Sequence, residues 1–402
     1  MDTRDVNPVY GNQDQERSQI MRKLFAIPLV IVILSAMALG ACAQPEPAPA
    51  PAPTPAPAPA PAPAPTPAPA PADVIEWEFY TGHSLAPSGP TGVWGGGLMD
   101  MADEINRATK GRIEVKVLAS GEHPYKPADF MQLMRDLKPA MLELGFAQAT
   151  GEDPRLGVAD LPMLFPPDQD VFYEIIDSKL TPDYFAPILS EYGYQPFVTF
   201  SWTPQRLGTK NVFLTGWDSL KGQKIRCWNP QLVDWVSLLG GTPVNVPFPE
   251  VYTGLQTGLI DGIISSSGGL GDMGWGEICR SLTAMEIQFG IVSFVVSQEA
   301  LNDLPGDVRQ DFLNWAKQAQ PRAREVYEAN VAMSTMDAVT KLGVSIQRPS
   351  PDFWQEVRAK CDEAVWKKWI ERSGGPGSPA AEALNDVVEM LRETGYEVPY
   401  TP

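Results

Sequence analysis

Residues 217–267 read WDSLKGQKIRCWNPQLVDWVSLLGGTPVNVPFPEVYTGLQTGLIDGIISSS, and this stretch decides the fold. Asp218-Ser219-Leu220-Lys221-Gly222 has the composition of a turn or short helix, and 224–228 reads as a strand. A helix over 231–239 stops at Gly240-Gly241. Pro249, at a first helical position, opens a second helix through Thr257, and a short strand follows at 260–265. Strands alternating with helices at this spacing make an α/β unit. One residue breaks the pattern of its strand. Arg226 stands between Ile225 and Cys227, where a guanidinium is costly unless it meets an anion, and its planar fork suits a carboxylate. The other reading is a structural salt bridge with one of the 45 acidic residues that follow the leader.

Working outward, 74–80 alternates Ile75, Trp77 and Phe79 against Glu76 and Glu78, as a half-buried strand does. A Gly/Pro/Ser loop over 81–97 precedes a helix carrying Leu98, Met101 and Ile105, which ends at Gly111. Residues 112–118 alternate again, so a second α/β unit with a parallel sheet lies upstream. Downstream, apolar residues recur three or four apart at 308, 312, 315, 319, 323 and 326. That spacing predicts one long amphipathic helix between 307 and 342, or two helices joined at Pro321. No repeat of 20–50 residues is present.

The N-terminus reads as an address. Met21-Arg22-Lys23, an apolar run to Leu39 and then Gly40-Ala41-Cys42 make a signal peptide over 21–41, too short for a spanning helix of about 20 apolar residues. Residues 1–20 are polar and fit no export signal, so Met21 reads as the true start and 1–20 as an extension. Proline occupies every second position from Pro45 to Pro71, 14 of the 41 in the chain. In polyproline II such a tract reaches on the order of 80 Å, a semi-rigid tether over 42–72. Removing residues 1–72 leaves 330, enough for two domains.

Composition excludes several classes. The formal charge is −18, a field that repels phosphate backbones, so nucleic acid is not an expected partner. With only two histidines, His83 and His123, and no HExxH, CxxC, Walker A, GxSxG or GxGxxG pattern, the sequence offers no metal or cofactor motif; a zinc site would lean unusually on carboxylates, and a hydrolytic triad would have to recruit a histidine that lies beside no nucleophile motif. His83 follows the first strand, where α/β sheets bind ligands, and reads as a ligand contact or as a residue that orders its loop. His123, before Pro124, reads as structural. Cys227, Cys279 and Cys361 allow one disulfide and a spare, with the pairing open.

Beyond these readings, the pattern D-S-L-K-G-Q-K-I-R … G-G-T-P-V … P-F-P-E-V-Y-T-G-L-Q-T-G-L-I-D-G resembles the DctP-type extracytoplasmic solute-binding subunit of TRAP transporters. The match is specific across 218–262 and extends loosely over 74–369, including Leu161-Pro162-Met163-Leu164-Phe165. The resemblance implies an α/β, two-domain fold of the periplasmic-binding-protein-like, class II type, with crossing strands, a cleft between the domains and a long bridging helix. Domain I would be 73–203 plus 292–331, domain II 204–291 plus 332–370, with a C-terminal helical tail over 371–402. It implies no enzyme. A small organic acid would be captured by domain closure and delivered to the small and large membrane subunits of a permease.

Carried over residue by residue, the carboxylate-clamping arginine falls on Arg226, a second arginine on Arg206, a packing aromatic on Phe248 and a polar pocket position on Asn229. Where many members have asparagine this chain has Ser265, and Arg135-Asp136-Leu137-Lys138-Pro139-Ala140 departs from the family pattern. Trp228 and Trp202 would cover the apolar part of the ligand, and the aromatic content favours a hydrophobic acid over a hydroxylated one. Trp275, between Gly274 and Gly276, reads as the least core-like tryptophan. Leu39-Gly40-Ala41-Cys42 resembles a bacterial lipobox, which implies lipidation at Cys42 and a membrane-anchored protein in the periplasm or on the cell surface, since two acyl chains anchor stably. Two other classes fit an exported lipoprotein: an enzyme, for which no nucleophile–base pair is found, and a binding protein that serves a sensor.

Overall fold

The computed structural model describes residues 74–83 and 93–402, which fall within one compact unit, Pro69–Pro402. The extension, signal peptide, Cys42 and proline tract expected from the sequence lie outside the described residues.

The first α/β unit forms as its alternation predicts. Strand β1 (Ile75–Tyr80) buries Trp77 and Phe79 and exposes Glu76 and Glu78. Helix α1 (Val93–Ala108) returns the chain to β2 (Ile113–Leu118), parallel to β1, and β3 (Met141–Gly145) pairs on the other side of β1.

Two long strands carry the chain between its halves: β4 (Tyr194–Thr209) and, after the second unit, β8 (Ser281–Ser297). Between them lie β5 (Lys224–Cys227), α2 (Pro230–Leu238), β6 (Thr242–Asn245), α3 (Val251–Thr257) and β7 (Gly262–Ser266). The expected elements of 217–267 form within a residue or two of their expected bounds. Asn229 caps α2 with Pro230 at its first turn, and Gly258 ends α3 at φ 74, a left-handed position that favours glycine. Asp261 accepts the Lys224 backbone N–H at 3.0 Å, tying the start of β5 to β7.

All strands join one sheet in the order β2-β1-β3-β8-β4-β7-β5-β6, with a short β9 (Ser345–Gln347) alongside the start of β8. Strand β4 runs antiparallel to β8 from Tyr194↔Ser297 to Thr209↔Ser281. Strand β3 pairs Met141 with Val296 and Gly145 with Val292, so it points toward the middle of β8. Strand β7 pairs Gly262 with Thr209 and Ser266 with Gln205, so it points toward the middle of β4. Since β1 and β2 are parallel to β3, and β5 and β6 to β7, both halves aim their carboxyl ends at one mid-section. There the β4–β8 register breaks, between Ser201 and Pro204 and between Gln205 and Leu207.

Helix α4 (Gly306–Thr340) is a single 35-residue element that retains Pro321. Its first half packs Phe312 and Trp315 against Trp77 and Phe197, and its last turns bring Ala338 to a second apolar cluster with Ile263 and Leu282. Arg324 holds the middle, bonding Thr199 O at 2.6 Å, pairing with Asp177 and lying over the Tyr173 ring. The C-terminal helix α5 (Pro379–Glu393) buries Leu384, Val387, Val388 and Leu391, so the tail is part of the core. The arrangement is the two-domain, periplasmic-binding-protein-like fold that the sequence led us to expect.

Two details differ from or complete that expectation. Trp275 is core after all: it is 2% exposed, in the second apolar cluster, because Gly274 at φ 68 turns it inward. Cys227, Cys279 and Cys361 are buried and unpaired, which settles the open disulfide question among the described residues.

Close packing between β7 and its neighbours requires glycine at 262. A Cβ there would lie 2.7 Å from Gly208 O and 2.9 Å from side-chain atoms of Ile225 and Thr209. Gly262→Ala is therefore expected to lower the unfolding free energy by about 1–3 kcal/mol. Urea denaturation checks this, and an unchanged midpoint would show that the sheet yields at this position.

Candidate functional site

Arg226 lies one residue from the carboxyl end of β5. Its flanking residues Ile225 and Cys227 are buried in the main core, and Arg226 itself is only 5% exposed. Its Nε donates to Val246 O at 3.1 Å. Among the described residues it has no carboxylate partner, and burial pushes the guanidinium down to about 10. The structural salt bridge that the sequence left open is thus not made among the described residues. An unpaired buried charge costs several kcal/mol, and an arriving carboxylate offsets that cost. Phe248, half exposed, stands edge-on to Trp275 at 5.3 Å, and Val246, which Arg226 bonds, lies two residues before it.

Strand alternation sets the rest of this face. Arg206 pairs with Ser265 across β4 and β7, and Arg226 pairs with Ile263 across β5 and β7. Arg206, Ser265 and Arg226 therefore share one face of the sheet. With one strand between them and a two-residue offset, the two arginine Cα atoms are about 12 Å apart. Their surroundings differ. Arg206 gives its NH2 and Nε to Glu286 Oε1, at 2.8 and 3.2 Å, and points NH1 at Ser267. It lines a cavity of about 440 Å³ with Pro204, Ser267, Glu328, Val331 and Thr335, against helix α4.

From the other half, β1 and β3 bring His83 and Glu143 to the same mid-section. His83 Nε2 lies 3.1 Å from Glu143 Oε1, and the Thr81 hydroxyl donates to the other carboxylate oxygen. Burial pulls the imidazolium down, but the adjacent Glu143 charge outweighs it, and the His83 pKa stands above its ordinary value. Trp202 sets its ring edge-on to His83 at 5.9 Å. That ring occupies space left by two glycines: a Cβ on Gly145 would come within 2.9 Å of it and one on Gly290 within 3.1 Å. His123 Nε2–H donates to Thr81 O, 3.0 Å away, a structural contact as expected.

Asn229 and Trp228 sit differently. The Asn229 amide is used at both ends, accepting from Leu232 N at 2.8 Å and donating to Asp160 Oδ2 at 2.7 Å. In this structure it fastens α2 to the 154–160 segment. Trp228 packs part-buried against the main core. Sequence reasoning did not single out Glu143, Glu286 or Asp160. The signal for Glu143 was available, an acid inside the apolar run Met141–Gly145, which becomes a strand buried at every position.

Known proteins resemble this chain. Residues 82–372 match the family described as bacterial extracellular solute-binding protein, family 7. The ectoine-binding periplasmic protein TeaA of Halomonas elongata is 27% identical over 221 residues, 54% of this chain and 64% of that protein. A TRAP periplasmic solute-binding protein of Chromohalobacter salexigens, solved with D-glucuronate, superposes with a TM-score of 0.66 at 22% identity, covering 78% of this chain and 99% of that one. An extracytoplasmic solute receptor of Bordetella pertussis that binds pyroglutamic acid gives 0.64 at 17% identity, covering 78% and 100%.

Asp160 carries a testable consequence. It is 2% exposed, and its Oδ1 finds no partner among the described residues. Burial pushes its pKa from 3.8 up to about 7, with the amides of Gln288 and Asn229 pulling it part of the way back. The folded state then holds a proton that the unfolded chain releases, so this group makes stability fall as pH rises from about 4 to 7 and leaves it level beyond. Asp160→Asn should gain on the wild type across that window in melting temperature. A difference between the two that is constant with pH would refute the assignment.

Proposed function

The chain belongs to the bacterial extracellular solute-binding protein family 7, whose relatives serve TRAP transporters, and from that premise we propose that it captures a small organic acid for transport. One observation carries the reading: Arg226 is buried, lacks an acidic partner among the described residues, and lies at the strand ends that both halves aim at one mid-section. The ligand's carboxylate accepts two parallel N–H bonds from the guanidinium, and Phe248, Trp202 and Trp228 cover its apolar part. Closure of domain I (73–203, 292–331) on domain II (204–291, 332–370) seals it. The movement is absorbed where β4 and β8 lose register, with α4 as the continuous element along both domains. Relatives described as binding ectoine, glucuronate and pyroglutamate support a small ligand bearing a carboxylate.

The closed receptor then delivers its ligand to the small and large membrane subunits. Lipid on Cys42 holds it at the membrane and the proline tract lifts it clear. The described residues contain no helix long and apolar enough to cross a membrane.

Two measurements test it. In Arg226→Met, calorimetry with an acid that the wild type binds should show a Kd raised by about 10²–10³-fold. The ligand-free variant should melt at or above the wild-type temperature, because an unpaired buried charge has been removed. Unchanged affinity, or a large loss of stability without ligand, would mean that Arg226 is structural. Cys42→Ser should move the protein from the membrane fraction to the soluble one, and retention in the membrane would exclude the lipid anchor.

A further inference from the structure

The two arginines of the cleft face are not equivalent, and the difference points to a narrower ligand class. A diacid reaching from Arg226 would bring its second carboxylate toward Arg206, about 12 Å away at the Cα atoms by sheet spacing. That guanidinium is occupied. Glu286 Oε1 takes both its NH2 and its Nε, and Glu286 is itself only 9% exposed. The cavity that Arg206 lines also holds Glu328, bonded by Gln169 Nε2 at 2.7 Å and raised above the usual carboxylate range, burial being the largest cause. His83, also at the mid-section, is paired with Glu143. Residues 84–92, SLAPSGPTG, carry no ionisable side chain.

We propose that Glu286 restricts this chain to acids with a single carboxylate, by occupying the arginine that a second carboxylate would need. The inference rests on the carboxylate reading of Arg226. A diacid must either leave its far carboxylate facing Glu286 and Glu328, or displace Glu286 and strand that carboxylate in a buried place, and both are repulsive elements of the kind that discriminate between ligands. The remainder of the ligand is uncharged or cationic, and it lies against Trp202 and Phe248.

Matched acids test this on the whole protein: butyrate against succinate, hexanoate against adipate, benzoate against terephthalate, each titrated by calorimetry into the wild type and Glu286→Gln. In the wild type the monoacid of the best-bound pair should bind at least tenfold more tightly than its diacid. Glu286→Gln frees Arg206 and should shrink that ratio at least tenfold, through tighter diacid binding. A wild type that binds diacids as well as monoacids overturns the proposal, as does a ratio that Glu286→Gln leaves within twofold. If Glu286→Gln does not fold, Glu286→Met removes the same charge, and the wild-type ratio decides if neither does. Loss of all acid binding in Arg226→Met, with a ratio untouched by Glu286→Gln, would retain the carboxylate reading and sink only the selectivity. Silence of the wild type toward every acid would sink both.

Discussion

The antiparallel pairing of β4 with β8 is the constraint on which the rest of the molecule depends. It runs the length of both strands, and every residue of β8 is buried. Because β3 docks on one end of this ladder and β7 on the other, the parallel strands of each half are forced to point at its middle. Ligand sites in α/β sheets lie beyond the carboxyl ends of strands. Here two such sets of ends face each other, and the side chains at the join, Trp202, Arg206 and Glu286, come from the ladder itself. The same ladder loses register there, between Ser201 and Pro204 and between Gln205 and Leu207.

Four arginines, three of them buried, show how the protein assigns that middle. Arg324 is satisfied inside the core by Asp177, Thr199 and the Tyr173 ring, and it secures the long helix. Arg358 donates its Nε to Met163 O and lies over the Tyr396 ring. Arg206 is neutralised by Glu286. Arg226 alone among these four has neither a carboxylate nor an aromatic ring against it in the described residues, and it is the one beside the strand ends. The chain's −18 charge does not oppose an anion there. Exposed charges beyond about 10 Å are screened at ordinary ionic strength, while a buried guanidinium at contact distance is not.

Much of this was legible in the sequence because it is local. The alternation of β1 and β2, the Asn229-Pro230 start of α2, and the spacing of 308, 312, 315 and 319 each follow from backbone periodicity and from capping chemistry. Arg226 stood out for the same reason, a charge where its strand should be apolar. The long strands β4 and β8 were not read off the residues themselves. A strand buried on both faces loses its alternation, and β8 also carries Glu286 and Gln288 within it. Trp275 was misjudged because flanking glycines resemble a mobile loop, whereas a left-handed glycine can equally turn a ring into a core.

By itself the sequence determined the class of the molecule: exported and acidic, two α/β units, a long bridging helix, and one arginine suited to a carboxylate. Pairing decided everything that depends on residues far apart in the chain. That Arg226 meets no carboxylate among the described residues, that Arg206 is taken by a glutamate 80 residues away, that His83 meets Glu143, and that Asn229 is held by Asp160 are facts about which side chains meet. A guanidinium has the same chemistry at each position. Whether it waits for a ligand depends on the acids that the fold places within reach, and sequence proximity carries no record of them.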